Sequence, residues 1–130
     1  MGWVVHIDKD LVAASATPLV LGILADGESY GYAIGKRVNE LSGGQMEWTD
    51  GMLYPLLHRL ERLGLVVATW GTSPAGRRRK HYAVTAAGRD ALAERQQQWT
   101  VVADVLQQVW KAAQAPPARP AFGTAAEGWA

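Results

Sequence analysis

The stretch Thr49–Leu65, TDGMLYPLLHRLERLGL, decides how this chain folds. Thr49 is a residue type that caps a helix start, and Gly64 is one that ends a helix. Between them Leu53, Leu56, Leu57, Leu60 and Leu63 lie within an arc of about 120° at 100° per residue. The spacing predicts an amphipathic helix over Gly51–Leu63. Its opposite face holds Gly51, Pro55, His58 and Arg62, flanked by Tyr54 and Arg59. One side is leucine, made for a core, and the other offers hydrogen-bond donors and positive charge.

Downstream, Leu65–Trp70 is rich in β-branched and aromatic residues and reads as a strand. Gly71–Gly76 is a flexible loop and Arg79–Val84 a second strand, so the pair predicts a hairpin with a basic tip. Upstream, Tyr30, Ile34, Val38 and Leu41 predict a helix over Tyr30–Leu41, capped by Ser29 and ended by Ser42-Gly43-Gly44, with a short extended piece at Gln45–Trp48. A first helix, Leu11–Ala25, turns Leu19, Val20, Ile23 and Leu24 inward and ends at Asp26-Gly27. Pro18 leaves two readings of it: a helix starting at Pro18 after a Thr17 cap, or a longer one from near Asp10 kinked at Pro18.

Thr85 caps a last helix reaching about Ala113, along which Trp99, Val102, Leu106, Val109 and Ala113 step alternately by three and four. That is a heptad seam, the pattern of a helix that meets another helix. So long a helix cannot bury both sides on so small a domain, so part of the seam is expected to meet a second chain, although packing on the first helix alone is the simpler alternative. The expected fold is α+β and mainly helical. A winged helix-turn-helix spans residues 11–85 after a short extension over 1–10, a dimerisation helix covers 86–114, and a tail rich in Pro and Ala over 115–130 is expected to be disordered.

Composition narrows the function. The 130 residues suffice for one domain, and 48% of them are hydrophobic, enough for a packed core. There is no cysteine, so disulfides, zinc thiolates and thiol nucleophiles are excluded. The first ten residues carry Asp8 and Asp10 and lack the basic-then-apolar pattern of a secretion signal, and the apolar run Pro18–Ala25 is too short to span a bilayer. A cytoplasmic protein without membrane association is the expectation. His6, His58 and His81 are scattered without partners at metal-ligand spacing, Ser29 and Ser42 lack a nucleophile's context, and no strand precedes Gly27 and Gly31 to make a phosphate loop. No catalytic residue, metal or cofactor is expected.

The net charge is only +1, but its distribution is uneven. Between Asp50 and Thr85, six basic residues (Arg59, Arg62, Arg77, Arg78, Arg79 and Lys80) face two acidic ones, Asp50 and Glu61, a balance of +4 that leaves −3 for the rest. A surface aimed at a polyanion and a merely solvated charged loop both fit the wing run. Three helices followed by a hairpin is the order of a winged helix, which places the third helix in the DNA major groove. The expected DNA contacts are Thr49, Asp50 and Gly51 at the helix start, Tyr54, His58, Arg59 and Arg62 along its face, and Arg77, Arg78, Arg79 and Lys80 on the wing.

Several segments together resemble the PadR family of bacterial regulators. They are Tyr30-Gly31-Tyr32, the run from Leu53 to Leu65, Trp70, and the run from Gly76 through Arg77-Arg78-Arg79-Lys80-His81-Tyr82 to Thr85 and Gly88. The likeness covers roughly residues 11–110. His81 stands where the family usually has an aromatic, and Val84 where it usually has leucine. The single C-terminal helix is similar to the short subgroup that includes multidrug-sensing repressors. The resemblance implies a homodimeric repressor of a palindromic double-stranded operator, released by a small molecule. It implies a role for Trp99 as one of two indoles, one from each copy, stacking on a planar aromatic effector, with Ser15, Leu92, Ala103 and Leu106 as neighbours. Trp99 as plain interface packing is the alternative. At the level of function the alternative is a winged-helix protein-interaction module that binds no DNA.

Overall fold

A computed structural model describes residues 5–114. The elements run α1 (Lys9–Ala25), β1 (Ser29–Tyr30), α2 (Gly31–Leu41), α3 (Asp50–Arg62), β2 (Val66–Thr72), β3 (Arg78–Val84) and α4 (Ala86–Gln114). The architecture is α+β and mainly helical, as expected. The tail from Ala115 lies outside the described residues.

Among the described residues, 5–97 form one compact unit. Its core joins Val20, Leu21 and Leu24 of α1, Ile34 of α2, Leu53, Leu56, Leu57 and Leu60 of α3, Val66 of β2 and Tyr82 of β3. Each such side chain contributes about 1.5–3 kcal/mol by leaving water. Four leucines of α3 thus share one core with α1, α2 and the sheet. Both ends of α3 are closed locally. The Thr49 hydroxyl accepts from the Met52 amide at 3.2 Å. At the other end the Gly64 amide donates to Glu61 and the Leu65 amide to Leu60, while Gly64 takes φ +76°. That is a Schellman turn, which favours glycine at the left-handed position.

The sheet has three strands in the order β1-β3-β2, all antiparallel, where the sequence predicts a two-stranded hairpin. Ser29 and Tyr30 pair with Tyr82 and His81, so Ser29 is a strand residue and not the cap of α2. Tyr30 occupies the cap position, without a side-chain cap bond. A two-residue strand shows no alternation, and its pairing partner lies some fifty residues downstream, so local pattern carries no signal for it. Gln45–Trp48 forms no strand. α1 is the longer helix of the two readings, with Pro18 inside it and Thr17 buried in its interior. Leu19 and Ile23 are only partly buried, and Val12, Ala16 and Leu21 join the inward face. Leu63, part of the leucine arc, is exposed, and so is Leu41. Each closes its helix's last turn, where helical spacing still holds but the packing partner has ended.

The start of α4 is tied to the end of α3. The Thr85 hydroxyl donates to the Gly64 carbonyl at 2.6 Å and accepts from the Gly88 amide at 3.0 Å. Gly88 is buried, and a Cβ there would collide with the Leu65 carbonyl oxygen. From Gln98 onward α4 belongs to a second unit. All residues from 100 to 114 are exposed.

Candidate nucleic-acid interface

The outward face of α3 exposes Asp50, Gly51, Tyr54, Pro55, His58, Arg59 and Arg62. Backbone amides and the dipole of the helix start favour a phosphate, and Arg59 and Arg62 supply the planar donors suited to guanine edges or phosphate oxygens. Tyr54 has a second duty. Its hydroxyl and ring lie where a side chain on Gly31 would stand, so the Tyr30-Gly31-Tyr32 motif makes room for α3 to approach the start of α2. The Thr49 oxygen that accepts from Met52 caps the helix, which leaves its proton as the group free to donate.

The wing turn is built by Ser73 and Gly76. The Ser73 amide donates to the Arg77 carbonyl at 2.7 Å, the Arg77 amide donates to the Ser73 hydroxyl, and Gly76 sits at φ +84°. The four basic residues that follow do not form one free run. Arg77 and Arg78 are exposed, whereas Arg79 and Lys80 are half-buried. The Arg78 guanidinium lies over the Trp70 ring at 4.6 Å. Arg79, on the other sheet face, stacks on Tyr30 at 3.8 Å with its Nε buried. The Lys80 ammonium reaches Glu61 of α3 at 3.3 Å and lies 5.5 Å above the Tyr82 ring. Burial alone would lower the Lys80 pKa. The hydrogen bond and charge of Glu61, with Tyr82, outweigh it and hold Lys80 above the ordinary lysine value. Burial pushes the Tyr82 phenol up.

This alternation follows from the pleat, which sends neighbours in a strand to opposite faces. Trp70 was not among the expected site residues. The hairpin register reveals its part: Trp70 stands opposite Lys80, which puts Arg78 on its diagonal. Glu61 of α3 faces the wing, on Lys80.

Residues 20–94 match the PadR-like family of transcriptional regulators, more than half of the chain. The chain belongs to that family. As a PadR-like chain it is a DNA-binding transcriptional regulator, in a family of regulators and not of enzymes. Solved structures agree. A PadR family regulator from Clostridium difficile is 32% identical, with 74% of this chain and 98% of that one covered and a TM-score of 0.67. A PadR-like regulator from Bacillus cereus is 26% identical over 83% of this chain and all of that one, at a TM-score of 0.70. A regulator from Clostridium thermocellum, 24% identical, shares the fold at a TM-score of 0.72 over 78% of this chain and 96% of its own. An uncharacterized protein from Lysinibacillus sphaericus is 23% identical over 100 residues, 77% of this chain and 92% of that relative.

The residues expected around an effector in this PadR-like chain divide between its two units. In the first, the Ser15 hydroxyl donates to the Leu11 carbonyl of its own helix at 2.8 Å, and Leu92 packs partly against the core. In the second, Trp99 is half-buried while Ala103 and Leu106 are exposed. Along that same stretch Val101, Val102, Val105, Val109 and Trp110 are also exposed, as is Ala113. Among the described residues no helix is long and apolar enough to cross a membrane.

Proposed function

We propose that this PadR-like regulator is a homodimeric repressor that lays α3 in the major groove of a palindromic operator and rests its wing on the flanking phosphates. The carrying observation is that the exposed face of α3, with His58, Arg59 and Arg62, belongs to the same compact unit as a wing whose outer residues Arg77 and Arg78 are exposed cations. Arg59 and His58 read base edges, Arg62 and the helix start hold phosphate, and Arg77 and Arg78 bind phosphate or the minor groove. The apolar stripe Val102, Leu106 and Val109 of α4 is covered by the same stripe of a second copy. Two Trp99 side chains near the two-fold axis would sandwich a planar aromatic or cationic lipophilic effector.

A gel-shift titration at several salt concentrations tests the DNA reading. Changing Arg77 and Arg78 together to Ala should weaken all sequences alike and flatten the salt dependence by about two counterions. A wild type that shifts no duplex would instead favour the protein-interaction module. Planar dyes titrated against wild type and Trp99→Ala test the effector reading. Loss of fluorescence quenching with the dimer intact supports it, and equal affinities for both proteins reduce Trp99 to interface packing.

A further inference from the structure

Glu61 poses a problem on a DNA-facing element. In sequence it lies between Arg59 and Arg62, both proposed DNA contacts, and an acidic group near them should repel DNA. The structure turns its carboxylate away from that face and onto Lys80 of β3, at 3.3 Å. The two side chains are 38% and 29% exposed, so the pair is partly shielded from water and screened less than a surface bridge. Lys80 is held as well as paired. Its ammonium lies over the Tyr82 ring, and Tyr82 is fixed in the core at 1% exposure. Directly across the hairpin stands Trp70, which carries the Arg78 guanidinium. A single chain of contacts thus runs from the last turn of α3 through Glu61 and Lys80 into the wing, and ends at an exposed arginine.

We infer that Glu61 and Lys80 are positioning residues that set the angle between recognition helix and wing, and that Lys80 is not itself a phosphate contact. This rests on the reading of α3 and the wing as the DNA-binding surface. Among the described residues, Glu61–Lys80 is the ion pair that joins α3 to β3. Helix-to-wing geometry decides whether Arg59 and Arg78 reach one duplex together, because base and phosphate contacts must be satisfied at once. The effect of Glu61 on DNA binding therefore has the opposite sign from what its charge alone would give. Removing the negative charge of Glu61 should weaken specific binding, where simple electrostatics would strengthen it.

The test compares full-length wild type with Glu61→Gln, Lys80→Met and the double variant. The probes are a duplex recovered by in vitro selection with the wild-type chain and a scrambled duplex of the same composition. Each single variant should bind the selected duplex on the order of fivefold more weakly, and the double variant no more weakly than either. The salt dependence of Lys80→Met should match wild type. Because the chain has no cysteine, spin labels at Ala75→Cys on the wing and Asp50→Cys on α3 report the angle without DNA. The label-to-label distance distribution should broaden in both single variants. Tighter binding by Glu61→Gln, or a salt slope reduced by about one in Lys80→Met, would show a free phosphate contact and overturn the proposal. An unchanged distance distribution would overturn it too. If wild type recovers no duplex at all, the DNA-binding reading fails, and the label distances still decide whether the pair sets the wing.

Discussion

α3 and the second half of α4 are both amphipathic helices carrying valine or leucine at regular spacing, yet they meet opposite fates. Leu53, Leu56, Leu57 and Leu60 of α3 are at most 7% exposed. Val101, Val102, Val105, Leu106, Val109 and Trp110 of α4 are between 39% and 63% exposed. The difference lies in what is available to cover each face. The α3 leucines share a core with α1, α2 and the sheet, whereas the described residues 98–114 belong to a separate unit. An exposed apolar stripe of that extent is the kind of surface that marks an interaction site. On the proposed reading the contrast separates a helix that builds the fold from one that builds an assembly, and it can be broken experimentally.

The largest effects should come from the folding side. Leu57→Ala, at a position with no exposure, should cost about 3 kcal/mol by urea unfolding, with the same midpoint shift at every protein concentration. Gly88→Val should cost at least as much, because its side chain meets the Leu65 carbonyl, which cannot move without breaking the turn after α3. A tolerated valine there would mean that α4 is not seated on that turn.

The assembly side should respond differently. Val102→Asp with Val109→Asp should leave the circular dichroism of the winged unit in place and convert the protein to monomers in sedimentation equilibrium. Buried unpaired carboxylates cost several kcal/mol at an interface. A wild type already monomeric at all concentrations would erase the distinction between the two helices. If the double variant instead unfolds, the stripe is part of the fold and not of an interface.

Smaller effects sharpen the joint between the two regions. Thr85→Val keeps the shape but removes the hydroxyl that bonds both Gly64 and Gly88, and should cost about 1–2 kcal/mol. Smallest of all is an alkaline titration followed by tyrosinate absorbance. Of the four tyrosines, Tyr82 should ionise last, since burial raises its pKa. The neutral phenol is favoured in the folded state, so this contribution is fully present below the ordinary tyrosine range and lost as pH rises through the raised value. Four tyrosines titrating together would place Tyr82 in water.

Much of this molecule is written locally. The Thr49 cap, the leucine arc, the Gly64 stop and the Thr85 cap all reside within a few residues of the groups they act on, and helical periodicity exposes them. The same periodicity marks the proposed seam on α4, and the basic balance between Asp50 and Thr85 marks the proposed nucleic-acid face. What periodicity does not carry is how far along a helix the neighbouring element extends, which is why Leu41 and Leu63 end exposed. Nor does it carry long-range pairing. β1 exists only because β3 offers it an edge. Arg79 leaves the surface because Tyr30 is thereby brought beneath it, and Lys80 because Glu61 stands across from it. A row of four cations looks uniform along the chain. What each residue meets sorts it into two that are exposed and two that are half-buried, against Tyr30 and against Glu61, since charge is a property of the residue and environment a property of the tertiary structure.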